Sequence, residues 1–223
     1  MPNRRPETVL DRYDVAKSHD SVLARLPADH FAAQTLRSLL SPALTRWREA
    51  RAVLAGHRGR WQTAVKKGRD AKAKNDAQLR WSYRMVQLKY GQEALRDLVS
   101  RAGNNNLSAM VKMPVDRLLV IQRDLFVSVD LAPTPPVWVE ELLGLRESYA
   151  TLRAASAEEH EARTTHRHAG GVERRATADL DLAATRVALV IEGVFGVEAG
   201  QYLPKFRKRG VRGPNTKTVA REG

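Results

Sequence analysis

The chain contains no cysteine, which excludes disulfides, thiol nucleophiles and thiolate metal ligands. Aromatic residues make up 6% of its 223 residues, and isoleucine occurs only at Ile121 and Ile191. That is a thin supply of the residues that strands favour, whereas Ala, Leu and Arg, which are abundant, suit helices. Long apolar runs are also missing. The longest, residues 187–197, is interrupted by Glu192 and falls short of the ~20 residues that span a bilayer. No apolar segment follows Met1-Pro2-Asn3-Arg4-Arg5-Pro6, so a secretory signal is not visible and a soluble, cytoplasmic protein is expected.

Motifs that carry chemistry are equally scarce. Neither Gly-x-x-x-x-Gly-Lys-Ser/Thr nor Gly-x-Gly-x-x-Gly occurs, and the serines lack a Gly-x-Ser-x-Gly context. The richest cluster is Glu158-Glu159-His160-Glu161, with His166 and His168 downstream. Di-iron bundles use Glu-x-x-His on two helices. That spacing is absent here, and Lys72, Lys74 and Asp76 stand where a facing helix would have to supply acids. No metal, cofactor or catalytic residue is assigned. His57, on an apolar stripe with no carboxylate evident beside it, reads as a packed core histidine.

What the chain does have is positive charge and helical periodicity. The formal net charge is +13 and the pI near 10.5, a balance that favours anionic partners such as nucleic acid, an acidic protein or a charged membrane surface. Hydrophobic residues, at 43%, are sufficient for a core.

Taken in order, residues 7–26 predict a first helix that Pro27 ends. Asp29 is placed to cap a second, short helix carrying Phe31, Leu36, Leu39 and Leu40. Ser41-Pro42 reads as an N-cap followed by proline in the first turn, opening a long basic helix over residues 43–101. Its stripe runs Trp47, Ala50, Leu54, His57, Trp61, Ala64, Gly68, Ala71, Asn75, Leu79, Tyr83, Val86, Tyr90, Ala94, Leu98, in steps of three or four. Gly56 and Gly59 mark the expected point of a kink. Gly103-Asn104-Asn105-Asn106 predicts a turn. Residues 115–131 predict a helix in preference to a strand, closed by Pro133-Thr134-Pro135-Pro136.

A second long helix starts near Val137. Its stripe runs Leu142, Leu145, Tyr149, Leu152, Ala155, Glu159, Ala162, His166, Ala169, Val172, Ala176, Leu180, Ala183, Val187, Ile191, Val194, with a break expected at Gly170-Gly171. Residues 46–101 hold fifteen Lys/Arg against five Asp/Glu, net +10, and residues 102–204 ten against fourteen, net −4. The two long helices are therefore expected to pair antiparallel, with Gly68 level with Gly170-Gly171 and Asn75 level with His166.

The fold class that follows is all-α: an elongated antiparallel hairpin or bundle of two long helices with two to four shorter ones. Residues 1–204 form a single domain, and residues 205–223 a disordered basic tail. In that tail Lys205, Phe206, Arg207, Lys208, Arg209 and Arg212 are the candidate anion or nucleic-acid contacts, since flexible basic arms bind phosphates through charge and counterion release. The basic stretch 66–74 is a weaker candidate, because an acidic partner helix would absorb its charge. The expected function is that of a non-enzymatic scaffold, adaptor or assembly component working through protein contacts or self-association. The alternative is a nucleic-acid-associated protein that does not read sequence.

Overall fold

A computed structural model of the chain describes residues 9–204, with side chains from Asp14 onward. Among the described residues every regular element is helical. They are α1 (Val9–Arg25), α2 (Phe31–Thr35), a π-helical turn (Leu36–Leu40), α3 (Ser41–Arg101), α4 (Leu107–Lys112), α5 (Val115–Asp130), a 3₁₀ turn (Val139–Leu142), α6 (Leu143–Phe195) and a final 3₁₀ turn (Gly196–Gln201). The chain divides into two compact units. Unit 1 takes the chain up to Ala52 and from Gly171 onward; unit 2 is Val53–Gly170.

In unit 1 the core gathers Leu36, Leu40, Leu44, Trp47, Leu180, Val187 and Ile191 around a set of small alanines. Two local expectations are corrected here. His30, not Asp29, caps α2: its Nδ1 accepts from the Ala32 N–H at 3.2 Å, satisfying a donor that the first turn leaves without a partner. Nor does Ser41 restart the chain. Ser41 is helical (φ −56°, ψ −46°), and its N–H donates to Leu36 O, five residues back. Pro42 would break an ordinary α-helix, because its ring clashes with the carbonyl four residues earlier and it has no N–H. The π-helical turn absorbs that clash, so the chain passes from α2 into α3 without a break. The α6 stripe also shifts: Ala184 replaces Ala183 at the buried position, while Val172 and Val194 are exposed.

In unit 2 the α3 stripe is buried from Ala64 through Gly68, Ala71, Asn75, Leu79, Tyr83 and Val86, as its periodicity requires. Helix α5 adds Leu118, Gln122, Leu125, Phe126 and Val129. The turn at 103–106 forms with Gly103 and Asn104 at positive φ (65° and 60°), and Asn106 caps α4 by accepting from the Ala109 N–H at 2.9 Å.

The expected kink at Gly56–Gly59 is absent, and α6 continues through Gly170-Gly171; the non-helical residue of α3 is Gly91 (φ 82°, ψ −171°). Only glycine adopts that conformation freely.

Within this unit α3 and α6 are antiparallel: Lys67 meets Glu158 at 2.8 Å, Asn75 meets Ser148 at 3.1 Å, and Ser82 donates to Glu141 O at 2.6 Å. The register differs from the expected one by roughly three to five turns. Gly68 lies against Glu159, not level with Gly170-Gly171; a Cβ added there would come 2.8 Å from Glu159 Oε2. The turn–α4–α5 connection between the helices sets this offset, and helix periodicity carries no information about it.

Candidate functional site

The predicted tail contacts Lys205, Phe206, Arg207, Lys208, Arg209 and Arg212 lie outside the described residues. The second basic stretch does not behave as its proximity to an acidic helix suggested. Of its cations, Lys67 pairs with Glu158 across to α6, and Lys72 pairs with Asp76 on its own helix while donating to Val111 O at 3.1 Å. Lys66, Arg69 and Lys74 are exposed on the opposite side of α3 and have no ion-pair partner among the described residues. Arg58, Arg80 and Arg84 share that condition, and Trp81, 47% exposed, sits among them.

The acidic cluster is dispersed. Glu158 is committed to Lys67, Glu159 lies over Gly68, and His166 stacks on Trp61 with ring centroids 5.3 Å apart and planes 15° apart. His57 is half-buried and lines a cleft of about 380 Å³ with Arg60 from α3 and Glu158 and Glu161 from α6. Arg60 stands on one wall and Glu158 and Glu161 on the other, and Glu158 is already paired with Lys67, so the cleft gathers no concentrated charge of either sign. Among the described residues no three His, Asp or Glu side chains are grouped to hold a metal ion.

The constellation that sequence reasoning missed is in unit 1. His19 Nδ1 lies 3.0 Å from Asp20 Oδ1, and its Nε2 lies 3.1 Å from Ser41 Oγ. A second Asp20 oxygen accepts from Arg48 at 2.7 Å. Burial raises the Asp20 carboxyl pKa, but the hydrogen bonds from His19 and Arg48 outweigh that effect and hold it below the usual value. The atom pattern is that of a serine–histidine–carboxylate relay, in which a neutral imidazole donates to the acid and accepts from the hydroxyl.

A nucleophile also needs open approach and free donors for the oxyanion. Here His19 is 3% exposed, the Ser41 N–H is spent on Leu36 O, and the Ser41 hydroxyl can equally donate to Leu36 O at 3.3 Å. The chain of bonds ties α1 to the π-helical turn. Its components stand 22 residues apart, so nothing in the linear sequence announces them.

Unit 2 holds a comparable polar cluster, fully enclosed. Asn75 Nδ2 donates to Gln122 Oε1 at 3.2 Å and to Ser148 Oγ at 3.1 Å, while Gln122 Nε2 donates back to Asn75 Oδ1 at 2.8 Å. The Ser148 hydroxyl donates to Leu145 O at 3.0 Å. Asn75 and Gln122 are completely buried and bind one another, so the cluster is closed to a ligand from solvent. Gln122 could have been found in the sequence: it falls four residues after Leu118 and three before Leu125, on the buried face of α5.

The remaining surface feature is apolar. On α6 in unit 1, Leu182, Leu189, Val190 and Val194 are 51%, 63%, 38% and 57% exposed. They recur at helical spacing on a side distinct from Leu180, Ala184, Val187 and Ile191, which face the core. The same helix thus has two apolar faces, and among the described residues only one of them is covered. No helix of the described chain is long and apolar enough to cross a membrane. Comparison of the chain with protein-family models, with curated proteins and with solved structures finds no match.

Proposed function

We propose that the protein is a non-enzymatic helical scaffold that works through protein–protein contact, and that the first such contact is with a second copy of itself. The observation that supports this reading is the exposed stripe of Leu182, Leu189, Val190 and Val194 on α6. A soluble helix ordinarily buries its apolar stripe and turns polar residues outward, and an apolar face of this kind marks an interaction surface.

The charges beside the stripe suit a twofold partner. Arg186 lies three residues before Leu189 and Glu192 three after, and both are exposed. Two copies of α6 crossing antiparallel at Leu189 bring Arg186 of each opposite Glu192 of the other, as an isologous interface requires. Such a contact is small and belongs to the weak class of interfaces. The reading includes a cytoplasmic location, which cell fractionation checks.

Sedimentation velocity across a concentration series tests it. A monomer–dimer equilibrium is expected; Leu189→Asp abolishes it, Arg186→Glu weakens it, and Arg186→Glu with Glu192→Arg restores it. A particle that stays monomeric at every concentration overturns the self-association, as does a dimer indifferent to both substitutions.

A further inference from the structure

The outward cations of α3 form a second surface, in unit 2, that the self-association reading does not use. Arg58, Lys66, Arg69, Lys74, Arg80 and Arg84 are all exposed, opposite the buried Gly68, Ala71, Asn75, Leu79, Tyr83 and Val86. From Arg58 to Arg84 they extend over about 39 Å of continuous helix at 1.5 Å per residue. Asp70 is the acid exposed among them. Lys66 and Arg69 stand three residues apart and Arg80 and Arg84 four apart, spacings at which like charges repel and weaken a helix. The fold pairs Lys67 and Lys72 with carboxylates while it leaves these six facing water, with Asp70 the one exposed acid among them to offset their mutual repulsion. A polyanion lying along the helix would relieve it.

We infer that this face of α3 binds the phosphate backbone of double-stranded nucleic acid without reading its sequence. Cations carried on one helix are fixed relative to each other, and a duplex offers phosphates that are likewise fixed. A flexible single strand would lose conformational freedom in being straightened along the same line. Side chains that reach phosphates position a protein but carry no base information. Their binding is driven by release of condensed counterions and so weakens steeply with salt. The inference is independent of the dimer: it uses residues of unit 2 and fails or survives separately.

Fluorescence anisotropy of the full chain with a labelled duplex of about 30 base pairs and mixed sequence provides the test, read between about 50 and 200 mM salt. Wild-type binding is expected with a log–log salt slope of about −5 or steeper, at roughly −0.9 per phosphate contacted. Replacing Lys66, Arg69, Lys74, Arg80 and Arg84 by Gln should flatten the slope by about 4–5 and lower affinity at least about 100-fold at the lower salt. These side chains have no ion-pair partner among the described residues and repel one another, so the melting temperature should match wild type or slightly exceed it. If the quintuple variant unfolds, Arg80→Gln and Arg84→Gln separately should each reduce the slope by about 1.

The inference is overturned if the helix variants bind as wild type does while Gln at Lys205, Arg207, Lys208, Arg209 and Arg212 removes binding; the tail is then the sole site. It also falls if a single strand binds more tightly than the duplex and Trp81→Ala weakens it, the mark of base stacking. Binding to anionic phosphatidylserine vesicles without binding to duplex sinks it as well.

Discussion

The two units solve the same packing problem with different materials. Unit 1 draws nearly half of its interior from alanines, Ala16, Ala32, Ala43, Ala50, Ala176, Ala184 and Ala199, interleaved with larger residues such as Leu36, Leu40, Trp47 and Ile191. Unit 2 relies on Leu79, Leu98, Leu118, Leu125, Leu142, Leu145 and Leu152, with Phe126 and Trp138, and buries the Asn75–Gln122–Ser148 cluster. Small side chains allow helix axes to approach, and the fit itself fixes how they sit. Leucines pack in several registers nearly as well as in one. In unit 2 a directional contact chooses among them: the paired amides of Asn75 and Gln122 are satisfied only when α3, α5 and α6 stand at one offset. A buried polar residue that specifies register is the best-attested use of such groups.

Breaking that contact is the largest effect the comparison predicts. Asn75→Leu leaves the Gln122 carbonyl and amide buried without partners, and at about 1–3 kcal/mol per orphaned group the loss should be roughly 2–5 kcal/mol. Gln122→Leu should cost somewhat less, because Asn75 loses its two bonds to Gln122 but keeps the one to Ser148. The double variant should recover much of the loss, since two apolar groups of matched shape carry no unmet hydrogen bond. A double-mutant cycle from urea melts measures the coupling. If the double variant is as unstable as the sum of the singles, the amides act through shape and not through their mutual bonds. Ser41→Ala in unit 1 strands a single atom, Nε2 of the buried His19, while Leu36 O keeps the Ser41 N–H as a donor, so it should cost less, about 1–2 kcal/mol.

The units should also separate by pH, unit 2 with the larger change. Burial pushes the Tyr83 phenol well above its ordinary value, while its hydroxyl donates to Met110 Sδ at 3.2 Å. A raised folded-state pKa gives stability that is whole below about pH 10, where the unfolded tyrosine begins to ionise, and is lost as pH rises. Tyr83→Phe should remove that alkaline slope. Asp20 in unit 1 has the opposite sign: its depressed pKa contributes above about pH 4 and is lost on acidification through the folded value. Its side chain is 57% exposed, so solvent screening limits the change to less than about 1 kcal/mol. Hydrogen exchange followed over 53–170 and over the rest of the chain reads the two separately. Alkaline loss that persists in Tyr83→Phe would remove this residue as its cause.

How far the sequence reveals these features depends on the range of the force involved. The α3 stripe from Ala64 to Val86, the turn at 103–106 and the stop at 133–136 follow from local periodicity and turn chemistry, and the structure contains all three. The π-helical turn is less legible, because Ser41-Pro42 satisfies the rule for a helix start equally well. Gly170-Gly171 misleads because two glycines weaken a helix without breaking it when the flanking turns carry it through. Gly91, the residue that does leave helical geometry, looks no different in sequence from Gly56. The antiparallel offset and the His19–Ser41 bond depend on tertiary contact, which a one-dimensional pattern does not encode. The net charge of each half was legible; which cations meet a carboxylate of the facing helix was not. Lys67 and Lys66 are neighbours with opposite fates, decided by 100° of helix rotation.

The smallest effects are at two glycines that share one geometry. Gly56 on α3 and Gly193 on α6 are both helical, and a Cβ at either would meet nothing within 4 Å. Each substitution to alanine should therefore stabilise its unit by about 0.5–1 kcal/mol, through helix propensity and reduced freedom of the unfolded chain. The two should differ in association. Gly193 lies on the exposed stripe beside Val190 and Val194, where the second copy's Arg186 is expected to cross, so its new methyl group should weaken the dimer while raising the melting temperature. Gly56→Ala should raise the melting temperature and leave the dimer unchanged. Equal sedimentation behaviour of the two variants would mean that no second copy comes near Gly193, and the stripe would then need a different occupant.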